Sequence, residues 1–98
     1  MSTSIMLGLR VKESERGRIG EILKGILPDT RAFPGCEGVI ACQNIDDPAD
    51  VRIIETWSSI AQYEEYVAWR TRENNAGSMG AALEESPTHV SFEVLDTA

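Results

Sequence analysis

Little in this chain could hold a metal or a redox cofactor. It has one histidine, His89, and two cysteines among its 98 residues, and no group of histidine, cysteine and carboxylate side chains stands at ligand spacing. Cys36 and Cys42 fall in one predicted strand, which holds them about 20 Å apart, too far for a disulfide. Buried, reduced thiols are the expectation. Asp46, Asp47 and Asp50 crowd one loop but lack the glycine and distal glutamate of a calcium-binding EF-hand, so the loop reads as solvated. No cofactor motif occurs, and the metal expectation is none.

Other absences bear on partners and location. Nine basic residues form no run and are outnumbered by sixteen acidic ones, for a net charge of −7. That field repels nucleic acid and acidic lipid, whereas a neutral, aromatic or cationic small molecule is compatible with it. No apolar run approaches membrane-spanning length, and Met1 to Ser4 is short and uncharged. A soluble, cytoplasmic protein with neither a nucleic-acid nor a membrane partner is expected.

What the chain does have is period. Ile5, Leu7, Leu9 and Val11 alternate with Met6, Gly8, Arg10 and Lys12 as a first strand; Gly8 marks either a close approach or a small residue beside a bulky neighbour. Ser14 is placed to cap a helix carrying Ile19, Ile22, Leu23, Ile26 and Leu27 at helical spacing. Pro28 should end or bend that helix before the Pro34-Gly35 turn. In the second strand Cys36, Gly38, Ile40 and Cys42 face one way and Glu37, Val39, Ala41 and Gln43 the other. The polar loop 46–50 then closes an antiparallel hairpin.

The stretch Ile53 to Arg70 gathers most of the chemistry. Val51, Ile53, Glu55 and Trp57 share one face of the third strand. Ser59, with Gln62 three residues on, has the spacing of a capping box that turns the strand directly into a helix. Tyr63, Tyr66 and Val67 form a stripe on that helix, flanked by Trp69 and Arg70. Trp57 and Tyr63 can therefore converge on a cleft between sheet and helix, either as packing or as a site. After a break at Asn74 to Ser78, an apolar segment through Met79, Ala82 and Leu83 has the look of a mobile lid, and Pro87 introduces the last strand.

The order strand, helix, strand, strand, helix, strand predicts an α+β, ferredoxin-like split βαβ fold in one domain over residues 1–98, with both helices on one face of an antiparallel sheet. The other face still carries apolar groups and no third layer is encoded. Pairing two sheets face to face in a homodimer would cover it.

Four motifs carry a resemblance over nearly the whole chain: AFPGCEG at the start of the second strand, the Asp46-Asp47-Pro48 hairpin, Glu55-Thr56-Trp57 at the end of the third, and the helical YEEYVAWR. In these the chain resembles the antibiotic biosynthesis monooxygenase domain family of dimeric α/β barrels. The family includes cofactor-free oxygenases of quinols and aromatic polyketides, haem-degrading enzymes, and members without a known substrate. In its oxygenases a tryptophan at the end of the third strand and a tyrosine six residues later line an aromatic pocket, a pair that Trp57 and Tyr63 match. Some also carry a histidine late in the second strand and an asparagine four before the tryptophan, where this chain has Cys42 and Ile53. Asn44 and Glu55 are the substitutes at hand, Glu55 either in that role or as a structural carboxylate. Haem-degrading members use a histidine on the second helix, and none stands between Ser59 and Leu83.

The resemblance implies a cofactor-independent monooxygenase acting on a quinol, phenol or polyketide-like aromatic with dioxygen. Trp57 would stack the ring, Tyr63 hydrogen-bond its oxygen and Arg70 stabilise its anion, although an arginine at a helix end can equally serve the helix dipole. Tyr66, Trp69, Asn44, Met79 and Leu83 complete the expected substrate-binding set. A non-oxidative cyclase or isomerase of a similar substrate, and a non-catalytic dimeric small-molecule-binding protein, are the alternatives.

Overall fold

In the computed structural model, which describes residues 2–73 and 77–96, four strands and three α-helices follow one another as β1 (Thr3–Arg10), α1 (Ile19–Ala32), β2 (Cys36–Gln43), β3 (Asp50–Trp57), α2 (Ile60–Glu73), α3 (Gly77–Ala81) and β4 (Thr88–Glu93). The sheet is antiparallel in the order β2-β3-β1-β4, and α1 and α2 pack on one face of it. This is the ferredoxin-like α+β arrangement that the alternation of elements predicts.

The face assignment of β3 follows from its pattern: Val51, Ile53, Glu55 and Trp57 are all buried, while Arg52, Ile54 and Thr56 point away. Registered against them on β1 are Leu9, Leu7, Ile5 and Thr3. Two adjoining cores result. Under α1, Ile19, Leu23 and Leu27 meet Leu9, Val39, Val51 and Ile53; under α2, Tyr63 and Tyr66 meet Ile5 and Trp57.

Several local expectations are corrected. Ser14 lies in a short 3-10 turn (Glu13–Glu15), and α1 begins at Ile19 without a side-chain cap. The same helix runs through Pro28 to Ala32. Its distal turn is held by burial of Leu27 and Thr30 and by Arg70 of α2, which donates to the Ile26 carbonyl (2.8 Å) and to Thr30 Oγ1 (2.9 Å). Tertiary bonds thus offset the hydrogen bond that proline cannot make.

A bulge between Cys36 and Gly38 inserts Glu37 as an extra residue. Cys36 is thereby turned to the helix side, against the aromatic core, and no longer shares a face with Ile40 and Cys42. Neither thiol is fully buried, Cys36 being half-buried and Cys42 exposed. The segment expected to be a lid is instead tied down where it is described: Ala82 and Leu83 are buried, Leu83 bridges to Val11, and the Ala82 carbonyl accepts from the Lys12 amide (2.9 Å). Asn74 to Ala76 lie outside the described residues.

Two glycines have steric duties. Gly35 takes a φ of +95°, and a Cβ there would lie within 2.8 Å of the Gln62 side chain; its carbonyl accepts from the Ser58 amide at 2.8 Å. A Cβ on Gly8 would lie 2.8 Å from Thr88 Oγ1, so the small residue lets β4 pair closely with β1.

The sheet face turned away from the helices is crossed by one apolar row in strict register: Ile40 on β2, Ile54 on β3, Met6 on β1 and Val90 on β4. Phe92 extends it, and Ile40, Val90 and Phe92 are each half or more exposed. No helix of the described residues is long and apolar enough to cross a membrane.

Candidate functional site

Where α2 leaves the end of β3, the sequence arranges its own junction. The Gln62 amide donates to Ser59 Oγ (3.3 Å), and that hydroxyl donates to Gln62 Oε1 (3.1 Å), a variant of the expected capping box. The first turns of α2 then project Tyr63 and Tyr66 back onto the sheet. Phe33, Trp57, Tyr63, Tyr66 and Trp69 make a continuous aromatic cluster with ring centroids 5.1–6.5 Å apart.

Beside this cluster lies a cavity of about 290 Å³, near the lower end of the range for small-molecule sites. Leu7, Ile26, Leu27, Ile53 and Met79 provide apolar lining, and five polar residues line it with them: Glu55, Tyr63, Tyr66, Arg70 and Thr71. A larger groove of about 480 Å³ runs between α1 and β2, but neither an aromatic ring nor a carboxylate lines it. The smaller space is the candidate site because a carboxylate, two phenols and a guanidinium converge on its apolar lining.

Arg70 is the hub. Besides its bonds to Ile26 and Thr30, its Nε donates to the Tyr66 hydroxyl (2.8 Å), which is itself 2.7 Å from Thr30 Oγ1. The guanidinium also lies over the rings of Trp69 (4.9 Å) and Tyr66 (5.3 Å). Such fixation presents a cation to the cavity in one orientation, and its planar fork makes lysine a poor replacement.

Glu55 is almost fully buried and accepts a 2.9 Å hydrogen bond from the Trp57 indole N–H. Burial pushes its carboxyl above the usual range, against the opposing pulls of the Trp57 hydrogen bond and the Arg70 charge. Tyr63 is pushed up to about 12, chiefly by burial and then by the nearby Glu55 and Tyr66. It therefore stays a neutral phenol and hydrogen-bond donor throughout the physiological range. No described residue hydrogen-bonds its hydroxyl. Since every fully buried side-chain nitrogen or oxygen described has a partner, that hydroxyl reaches accessible space.

Of the residues predicted from sequence, the structure brings Glu55, Tyr63, Tyr66, Arg70 and Met79 together around the cavity. Trp57 has no exposed surface and does not line it; its indole holds Glu55 rather than offering a face to a ligand. Trp69 packs outside, against Phe33, Tyr66 and Arg70. Leu83 belongs to the core under α1. Asn44 shapes the β2-β3 turn, its Oδ1 accepting from the Asp46 and Asp47 amides and its Nδ2 donating to Asp50. Sequence reasoning missed Thr30, which anchors both Tyr66 and Arg70; a polar residue at a buried position of α1's helical period was the available signal.

The raised carboxyl of Glu55 gives a prediction about stability. A group whose folded pKa lies above its unfolded value, about 4.3 for glutamate, loses its favourable contribution as pH rises through the folded pKa. Glu55→Gln keeps an acceptor for the indole and removes the buried charge. The variant should be more stable than wild type at pH 7–8, with the gap narrowing as pH falls toward 5.5, still above the isoelectric point near 4.6. Urea titrations at those pH values measure this, and a gap that widens on acidification would contradict it.

Comparison with known proteins places this geometry in context. A family model described as antibiotic biosynthesis monooxygenase matches residues 4–73. No curated protein matches the chain. Among solved structures, Rv0793 from Mycobacterium tuberculosis superposes with a TM-score of 0.83 at 17% identity, covering 100% of this chain and 99% of that one. A variant of SnoaB, a cofactor-independent oxygenase from Streptomyces nogalater, gives 0.82 at 12% identity, covering 98% and 95%. Protein SO0527 from Shewanella oneidensis gives 0.78 at 22% identity, covering 93% and 88%. At these identities the structural likeness speaks to the fold.

Proposed function

Because the chain belongs to the antibiotic biosynthesis monooxygenase family, we propose that it is a cofactor-independent monooxygenase that oxidises a phenol, quinol or anthrone-like aromatic with dioxygen in the cavity between β3 and α2. The observation that carries this reading is the meeting of a Tyr63 hydroxyl that no described residue hydrogen-bonds with the fixed Arg70 guanidinium at one apolar, ring-sized cavity.

The apolar lining desolvates the ring, and Tyr63 donates to the oxygen function as negative charge develops on it. Arg70 stabilises the resulting anion, which is the form that passes electrons to dioxygen. For an anthrone, a ring CH2 and O2 become a carbonyl and water, the substrate supplying both electrons that reduce the second oxygen atom. Tyr63 and Arg70 are the catalytic groups in this reading, with Glu55, Tyr66 and Met79 shaping the cavity and Trp57 positioning Glu55.

Tyr63→Phe removes only the hydroxyl. Turnover should fall by roughly tenfold or more, about 1.4 kcal/mol, while the melting temperature hardly moves, since no described hydrogen bond is lost. Normal single-turnover rates in the folded variant would take Tyr63 out of the mechanism.

The reading includes a homodimer formed through the apolar row Ile40-Ile54-Met6-Val90. A chain of this length buries a modest core, and a contiguous exposed apolar face favours pairing. Wild type should sediment as a dimer at low micromolar concentration, and Ile54→Glu as a monomer. A folded wild-type monomer with no concentration dependence would exclude the paired sheets.

The test of function is aerobic and anaerobic incubation of metal-free protein with a panel of hydroquinones and anthrones, followed by absorption and oxygen uptake. Protein-dependent change only in air supports oxygenation. The same change without oxygen indicates a cyclase or isomerase instead, and tight binding with the ligand returned unchanged indicates a binding protein.

A further inference from the structure

The oxygenase reading requires a proton acceptor, and the cavity itself offers a poor one. Tyr63 remains a neutral phenol and Arg70 a cation, while Glu55 is almost fully buried and already holds the Trp57 indole N–H. On the far side of Tyr63 is a second, open depression of about 280 Å³ lined by Ile60, Tyr63, Glu64, Val67, His89 and Ser91. Tyr63 and Val67 line both spaces, so these two side chains stand between them, and Tyr63 is the polar one.

His89 reaches this place by register. It pairs with Leu7, a residue of the cavity lining, and therefore shares the helix-facing side of the sheet with Leu7, Ile53 and Glu55. It is also solvent-exposed on an edge strand. The imidazole is thus a surface side chain, but the surface it occupies backs onto the candidate site.

We infer that His89 is the proton acceptor of the reaction, taking the substrate's proton through the Tyr63 hydroxyl and exchanging it with solvent; the inference rests on the oxygenase reading. Tyr63 accepts the substrate proton as it gives its own to the imidazole through one water in the open depression, because no described residue hydrogen-bonds that hydroxyl directly, and so no standing tyrosinate forms. The products of the step are the substrate anion, neutral Tyr63 and an imidazolium. When the anion has added dioxygen, the imidazolium returns its proton to the peroxide oxygen. Loss of the remaining carbon-bound proton to the regenerated base breaks the O–O bond, and the departing hydroxide leaves as water. Imidazole suits this task because its ordinary titration falls near neutral pH, and this is the chain's only one.

The charged and titratable groups around His89 are few. Glu64 of α2 lines the same depression, with Tyr63 and, beyond it, Glu55. Glu93 stands two pleats along β4 on the same side, and β1 presents Ile5 and Leu7 there.

His89→Asn replaces an exposed side chain and should leave the fold intact. Wild-type turnover should rise with pH to a plateau. The variant should lose the plateau and be about 100-fold slower near neutral pH, and added imidazole should restore part of the rate through the open depression. Glu55→Gln alters the cavity lining and so the absolute rate, but should keep the shape of the wild-type pH profile, a rise to a plateau. Wild-type rate and profile in His89→Asn, or loss of the profile in Glu55→Gln instead, would overturn the assignment.

A second readout does not need turnover and separates failure of the inference from failure of the oxygenase reading. With one histidine, the imidazole NMR signals assign themselves. Adding meta-nitrophenol, a phenol that air does not oxidise and that is still largely neutral slightly above neutral pH, should move them toward the imidazolium position as its absorption turns to that of the yellow anion. Anion formation on binding with the histidine signals unmoved would overturn the proton transfer, whether or not the protein consumes oxygen.

Discussion

Replacing Arg70 by methionine is expected to lower turnover by about 100- to 1,000-fold and the melting temperature by roughly 10 °C. The activity term follows from position. The guanidinium is the cationic group of the cavity, and it acts most strongly when the substrate carries full negative charge, so its loss should appear in kcat more than in KM. The stability term follows from the bonds to Ile26, Thr30 and Tyr66. Methionine fills similar space yet leaves the Ile26 carbonyl without the arginine that braces the turn before Pro28. Hydrogen bonds from a charged donor contribute about 1.5–3 kcal/mol, so a loss near 2 kcal/mol is reasonable. Arg70→Lys separates the two terms: it keeps the charge and loses the fork, and should recover part of the rate and little of the stability. Full activity in Arg70→Met would show that the anion is not stabilised at this position.

Trp57→Phe should destabilise the fold by about 3 kcal/mol, a larger effect on stability than on the chemical step. The indole is wholly buried, touches Phe33, Tyr63 and Tyr66, and supplies a hydrogen bond to Glu55. Phenylalanine leaves both a gap and a carboxylate deprived of a donor. The two contributions separate in a double-mutant cycle. Adding Glu55→Gln to Trp57→Phe should recover at least about 1 kcal/mol more than additivity allows if the indole's main duty is to that carboxylate. Strict additivity in urea titrations would show instead that the ring acts by volume alone. Reduced substrate affinity with unchanged stability would restore the stacking role that the sequence suggests.

These two residues also show which parts of the site can be read from sequence. Strand alternation put Glu55 and Trp57 on one face, and helical period put Tyr63 and Tyr66 opposite them. Both follow from local backbone geometry, and both are found. Whether an aromatic side chain faces its neighbours or an empty space depends on how α2 settles against the sheet, and no period contains that information. So Trp57 and Tyr63, indistinguishable in the sequence, part company in the structure: one is walled in by three rings and the other lines the cavity.

The remaining discrepancies have equally specific causes. A bulge at Glu37 shifts the face of Cys36 by one residue, and nothing in the CEG triplet announces it. Pro28 is a breaker by local rules, but the buried neighbours Leu27 and Thr30 and an arginine 42 positions further along the chain from it carry the helix past it. Asn44 looked like a substrate amide because of its place in the chain, yet its bonds to Asp46, Asp47 and Asp50 assign it to the turn. His89 reads as an edge residue, and only the pairing of β4 with β1 reveals what lies behind that edge.

The most direct test of the account is to give metal-free protein an anthrone under isotopically labelled dioxygen and to follow both oxygen atoms above the uncatalysed background. The account predicts one dioxygen consumed per substrate, with one labelled atom in the product carbonyl and the other in water. A product without label, or a substrate bound and recovered unchanged, would contradict it.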